Sequence, residues 1–290
     1  MIKGTPIDWL SNQASRAVIG AVRLLPYAKR VPFMGAVMRK GLGGVLGFRK
    51  RAETNLAMIY PDMAPDERRR IADGVLDNFG RTLIENYSHP EFAAHLAETE
   101  LSGAGVKALA KATAEKRPVL FVTAHFGNHE APRQILTRMG HSVGGLYRPF
   151  TNPYFDADYR RTIGALGGTV FAQGRRGTIG LIRYLREANQ GVLFYDVFYG
   201  AGEKLDFLGK PAMTALSAAE IAIKVNAVVL PYYGVRNPDG MTFTAIIDAP
   251  IAASDPISMT KEMNARLETQ IAAHPEQWFW VHRRWKMRKV

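Results

Sequence analysis

Residues 121–136 read FVTAHFGNHEAPRQIL. An apolar run, Phe121-Val122-Thr123-Ala124, stops at His125, and a Gly127-Asn128 pair separates it from His129-Glu130. A histidine whose one ring nitrogen faces a carboxylate keeps a fixed tautomer and a stabilised imidazolium. Its other nitrogen is then free to take a proton from a hydroxyl. A tight turn at Gly127-Asn128 brings Glu130 back towards His125, so these two are the expected base and partner. Asn128 has the residue type of an N-cap for the helix that follows, and N–H groups at that helix start can hold an oxyanion or a phosphate. His125 and His129 also have an i, i+4 zinc-ligand spacing. Gly127-Asn128 interrupts the helix that this spacing needs, and the order is not H-E-x-x-H, so no metal is expected. The plainer reading is a strand-end histidine that satisfies backbone groups. There is no G-x-S-x-G turn and no cysteine, which leaves a serine hydrolase little support and excludes thiol chemistry.

These residues need a scaffold. From Arg117 onward, short apolar runs at 118–124, 142–148, 168–172, 191–196, 227–235 and 241–248 alternate with helical patterns at about 129–139, 153–166, 177–189, 212–225 and 258–273. That alternation predicts an α/β fold: a central, largely parallel or mixed sheet flanked by helices. Ligands of such sheets bind beyond the carboxyl ends of the strands, where His125 is placed. Residues 60–92 carry a helix that starts at Pro65-Asp66-Glu67, with an apolar stripe Ile71, Val75, Leu76, Phe79, Leu83, Ile84.

The chain has 290 residues and a formal charge of +12, which calls for an anionic partner. No apolar run reaches spanning length. Residues 1–50 instead alternate apolar and basic side chains, from Trp9 and Leu10 to Phe48-Arg49-Lys50, and lack the core of a signal peptide. They are read as an N-terminal helical region lying on an anionic membrane, with 51–290 as the α/β domain. A shallowly inserted helix at residues 9–27 and a merely solvated basic face remain alternatives. Nucleic acid is not expected. The basic tail VHRRWKMRKV lacks the interleaved stacking aromatics of single-strand binders, and Trp278, Phe279, Trp280 and Trp285 are assigned to the sheet or the membrane interface. A basic binding protein without chemistry is the alternative of another class.

HFGNHE resembles the H-x4-[DE] motif of the glycerolipid and lysophospholipid acyltransferases. With LYRPFTNPYFD (146–156), GVLFYD (191–196), FLGKPAMT (207–214) and HPEQWFWVHRRWK (274–286), nearly the whole chain resembles the late acyltransferases of lipid A biosynthesis. The resemblance implies an enzyme that moves a fatty acyl group from a thioester, on acyl carrier protein or CoA, to a hydroxyl of a lipid acceptor. It implies His125 as general base and Glu130 as its partner. Arg148 and Arg161 (or Arg160) would face an anionic group, and Asp196 holds an acidic site position. No cofactor is implied, and the setting is the cytoplasmic face of the inner membrane. Arg176, in GRRGT before a helix expected to start near Thr178, is a further phosphate or carboxylate contact, and Asn128 joins the substrate-binding set. His129 stands where the family has an aromatic residue, VFYG follows Asp196, and ALSAAEIA follows FLGKPAMT. These departures leave a lyso-phospholipid or lyso-aminolipid acceptor open beside a lipid A precursor. The Phe-Pro-Glu-Gly-Thr signature of phosphatidate-forming relatives is absent.

Overall fold

The computed structural model describes residues 4–286. The N-terminal third is helical: α1 (Pro6–Arg23), α2 (Tyr27–Val37) running through a π-helical turn (Met38–Leu42) into α3 (Gly43–Val45), then α4 (Phe48–Ile59), α5 (Pro65–Asn86) and α6 (His89–His95). α5 begins at Pro65, as its proline and first-turn acids require. Its face Ile71, Ala72 and Val75 is buried in the main core together with Ala52 and Leu56 of α4.

The sheet follows. β1 (Leu101–Ser102), α7 (Val106–Ala114), β2 (Val119–Thr123), α8 (Glu130–Arg138), β3 (Val143–Tyr147), α9 (Pro153–Ala165), β4 (Val170–Ala172), α10 (Arg175–Arg186) and β5 (Gln190–Phe194) alternate as the patterning implies. A hairpin β6 (Glu203–Phe207) and β7 (Lys210–Thr214) precedes α11 (Ser217–Val225), β8 (Val228–Arg236), β9 (Phe243–Ile247) and α12 (Pro256–Ala273). The seven-stranded order is β1-β9-β8-β2-β5-β3-β4. All pairings in it are parallel except β8 with β9. Every residue of β2 is buried, because helices cover both faces of a central parallel strand. Pro231 is tolerated inside β8 because pairing with β2 ends there, and from Tyr232 the strand pairs with β9.

Two expectations are corrected. Residues 212–214 are strand, and α11 begins only at Ser217. The hairpin turns at Leu208-Gly209, both at positive φ, the two-residue geometry that suits strand twist. α10 starts at Arg175, not near Thr178, so Arg175 and Arg176 form its first turn.

Candidate active site

β2 and β5 pair in register, Val119 with Gln190 through Thr123 with Phe194. Continued two residues past the strand ends, that register sets His125 opposite Asp196. The side chains meet: His125 Nδ1 lies 2.9 Å from Asp196 Oδ1, and the His125 backbone N–H donates to Asp196 Oδ2 at 2.9 Å. Trp278 Nε1–H donates to the same oxygen at 3.0 Å. Asp196 is fully buried, whereas the His125 side chain is 37% exposed. Burial opposes ionisation of Asp196, yet the His125 ring, its N–H bonds and His282 hold this carboxyl far below the usual range. An anion facing Nδ1 selects the Nδ1–H tautomer and leaves Nε2 as the basic nitrogen.

Glu130 does not reach His125. It opens α8, and its carboxylate receives Arg133 Nε at 2.6 Å, with His129 Nε2 3.8 Å away. One turn of helix sets residues 130 and 133 side by side, and that pairing takes the carboxylate the turn was expected to return to His125. Arg133 is itself buried and donates to Ile163 and Gly167 carbonyls. The expected His125–Glu130 contact is therefore replaced by His125–Asp196. His129 lies beside Glu130, its ring edge-on to Phe194. Burial pushes it down to about 4 despite neighbouring Glu130, so it is neutral.

Asn128 is fully buried. The N-cap of α8 is His129, not Asn128; one residue earlier, Asn128 Oδ1 accepts the Glu130 N–H, and its Nδ2 donates to Glu85. With both ends engaged inside the protein, it does not face a substrate. Most N–H groups around the helix start are also engaged. The N–H groups of Phe126, Gly127, Asn128 and Ala131 donate to Ala124, Gln277, Gly234 and Asn128 carbonyls, and that of Glu130 to the Asn128 side chain.

The turn is held by a buried polar clamp that sequence reasoning missed. Gly127 has φ +54°, and a Cβ there would sit 1.9 Å from the Gly234 oxygen, so only glycine fits. Its carbonyl accepts from Asn78 and Thr82 of α5. Arg236, at the end of β8, forks onto both oxygens of Glu85 at 2.6 and 2.7 Å and reaches Asn78 at 2.8 Å. Gln277 closes the ring through the Arg236 backbone.

The C-terminal segment caps the site. Trp278 and Trp280 are fully buried in the core, which assigns them to the sheet side of the expectation. Phe279 N–H donates to the His125 carbonyl at 2.9 Å, and the His282 ring stands 4.6 Å from that of His125. No spacing rule flags His282, whose one signal is its place in the 274–286 motif, and Trp278 is legible as an aromatic anchor but not as a donor to Asp196. Ligand-type atoms of His125, Asp196 and His282 all lie within 4.8 Å of one another. Asp196 Oδ2 already accepts N–H bonds from His125 and Trp278.

Arg148 is exposed just past the end of β3, Arg176 is exposed in the first turn of α10 after β4, and Arg161 is exposed on α9, paired with Asp158 at 2.9 Å. Two inter-strand steps of about 4.8 Å carry the β3 exit to about 10 Å from that of β2, and a third carries β4 to about 14 Å. Arg148 and Arg176 thus lie at the same carboxyl edge of the sheet as His125. An open groove of ≈ 570 Å³ beside Arg175 and Arg176 is lined by residues 170–177.

The chain is 28% identical over 262 residues to the lipid A biosynthesis lauroyltransferase of Escherichia coli (strain K12), covering 86% of this chain and 84% of that protein. It is 25% identical over 278 residues to a lipid A biosynthesis acyltransferase of Haemophilus influenzae, covering 89% and 84%. It is 22% identical over 290 residues to the E. coli lipid A biosynthesis myristoyltransferase, covering 94% and 86%. The sequence profile described as bacterial lipid A biosynthesis acyltransferase matches residues 4–287, so this chain, with its strand-end histidine held by a buried carboxylate, is an acyltransferase and belongs to that family.

Proposed function

We propose that the protein moves a fatty acyl group from an acyl thioester, on acyl carrier protein or CoA, to a hydroxyl of a lipid A precursor, with His125 as general base. The observation that carries this reading is the His125 Nδ1–Asp196 Oδ1 contact of 2.9 Å at the carboxyl end of the central strand. His125 Nε2 takes the acceptor's hydroxyl proton as the oxygen attacks the thioester carbonyl. The tetrahedral intermediate then expels the thiolate, and the His125 imidazolium returns the proton to sulfur. General-base assistance of this type is worth about 10²–10⁴-fold. Asp196 stabilises the imidazolium, and Glu130 acts at one remove, fixing Arg133 and the neutral His129 ring beside His125.

Arg148 and Arg176 are assigned to anionic groups of the acceptor, roughly 10–14 Å along the sheet edge from the base. Arg161 serves the same surface through α9. α1 supports attachment to a membrane surface. Its N-terminal half is held by polar contacts, with Asn12 donating to Asp158 on α9 and Asn152 donating to the Asp8 carbonyl, and its C-terminal half packs Ile19 and Val22 on an apolar cluster with Val31, Met34 and Ile84. Its outward side exposes Ile7, Trp9, Leu10 and Val18, followed by Leu24 just past the helix. No helix among the described residues is long and apolar enough to cross a membrane. We assign the protein to the cytoplasmic face of the inner membrane, where the acyl donor and an anionic leaflet meet.

The test is a lipid analysis of cells with and without the gene, repeated with His125→Ala. Loss of one secondary acyl chain from lipid A, in the deletion and the variant alike, is the expected result. Unchanged lipid A with accumulation of a lyso-lipid would overturn the acceptor and keep the base. Full activity of His125→Ala at normal expression would overturn the mechanism.

A further inference from the structure

His282 sits behind His125 on the carboxylate side. Its Nε2 is buried and has no hydrogen-bond partner among the described residues. The nearest anion is Asp196, whose Oδ2 is 4.0 Å away. A buried ring nitrogen without a partner is costly, and here it lies about 1 Å beyond hydrogen-bond reach of a carboxylate that already orients the base. The placement is built from three elements. Asn55 of α4 donates to the carbonyls of Trp280 and His282 at 2.7 and 2.9 Å. Phe279, which bonds the His125 carbonyl, packs its ring edge-on to His282 at 4.9 Å. Arg284, two residues on, is anchored to Met213 and Thr214 of β7.

We propose that His282 is a positioning residue for this reaction: its neutral Nε2–H tautomer closes on Asp196 Oδ2 when substrate binds and holds the carboxylate against His125. The inference rests on the base assignment above. A carboxylate selects the protonated nitrogen on the ring that faces it, so Nε2 carries the hydrogen. Catalytic hydrogen bonds are commonly long without substrate and tighten in the complex. The charged and titratable groups around the ring are Asp196 from the β5 exit, His125 from the β2 exit and Arg284 from its own segment. Burial, with His125 and Arg284 acting in the same direction, pushes His282 down to about 3 against the pull of Asp196. Neutrality is what the role needs. A cation here would repel the imidazolium that His125 becomes, whereas a neutral N–H fixes the carboxylate and leaves its charge for His125.

The experiment compares wild type, His125→Ala, His282→Phe and His282→Gln as full-length protein, in acyl transfer from an acyl carrier protein thioester to a lipid A precursor. Phe keeps the ring volume without the N–H, and Gln restores an N–H donor that does not titrate. His282→Phe is expected to lower kcat about tenfold, the effect of losing a hydrogen bond to a charged group, with KM within about twofold. The acid limb of its pH–rate profile should move to higher pH, because a carboxylate with one N–H bond fewer stabilises the His125 imidazolium more strongly. His282→Gln should recover most of kcat and the wild-type limb. Wild-type kcat and limb in His282→Phe would overturn the proposal, as would equal loss in Phe and Gln. Should the Phe variant not fold, His282→Leu, which also lacks the N–H, takes its place: a loss in Leu that Gln recovers supports the role, and equal activity of the two overturns it. Failure of the base assignment shows separately, as transfer that survives His125→Ala.

Discussion

Replacing Asp196 by Asn tests the tautomer argument, because the structure dictates which way the amide must turn. Asp196 Oδ2 accepts two N–H bonds, from the His125 backbone and from Trp278 Nε1. An amide NH2 placed there would meet two donors, so the Asn oxygen takes the Oδ2 position. The NH2 group then faces His125 Nδ1, 2.9 Å away in the wild type, and donates to it. Nδ1 becomes an acceptor, the ring proton moves to Nε2, and the nitrogen that must take the acceptor's proton no longer can. The variant keeps packing and volume but holds the wrong tautomer. The expected loss is most of the general-base contribution, about 10²–10⁴-fold in kcat, or about 2.7–5.4 kcal/mol in activation free energy. KM should change little, since Asp196 is fully buried. Initial rates of acyl transfer from a labelled thioester, followed by mass spectrometry of the lipid product, give both constants. Activity within about threefold of wild type would refute the tautomer argument.

Three further outcomes follow from the same geometry. His129 and His282 are held neutral, near 4 and 3, by burial, while an unfolded histidine titrates near 6.5. Below that pH the unfolded chain binds protons the folded chain does not, so their stabilising effect is full above about 6.5 and is lost as pH falls. The pair should contribute a slope of about 2.7 kcal/mol per pH unit between roughly pH 6 and 4.5. Urea melts at pH 7, 6 and 5 check it, and His282→Phe should remove about half of that component. Glu130→Gln leaves Arg133 buried without its counter-ion and should cost about 3–5 kcal/mol in the same melts; an unchanged midpoint would show that the pair does not hold α8 in place. Trp9→Ser with Leu10→Ser removes exposed apolar area from α1 and should weaken sedimentation with anionic vesicles several-fold, while equal binding would move the attachment surface elsewhere.

The sheet was legible because each strand is a short apolar run next to a helical period, and its order in space places chain-distant ends side by side. His125 stood out for the same reason: it is the polar residue that ends a wholly buried strand. Its partner was less legible. Asp196 was singled out as an acidic site position, but local turn logic favoured Glu130, five residues away, over a residue reached only through the β2–β5 register. A helix start competes for its own first-turn acid, and Arg133 wins Glu130 because i, i+3 neighbours on α8 are fixed by 3.6-residue geometry. The β6–β7 hairpin was missed because PAMTALSAAEIA runs on without a break and its helical half dominates the pattern. Residues such as Asn78, Glu85, Arg236 and Gln277 have no local signature at all. Each is a polar residue in an otherwise ordinary helix, strand or turn, and their common purpose appears only when the Gly127 turn is seen to need a carbonyl acceptor satisfied far from water.

That clamp also explains why the site tolerates a loop at all. The Gly127-Asn128 backbone is withdrawn from solvent, bonded to α5, β8 and the Pro275–Gln277 turn at once, so the base stands on rigid supports on every side but one. The open side is the one His125 exposes, past the strand ends, at the same carboxyl edge of the sheet as Arg148 and Arg176. A lipid hydroxyl presented from a membrane surface would approach from that side. Rigid support matters more here than reach, because a base removes a proton efficiently only when the hydroxyl finds Nε2 within about 3 Å. Loosening the clamp should therefore lower kcat before it lowers affinity for either substrate.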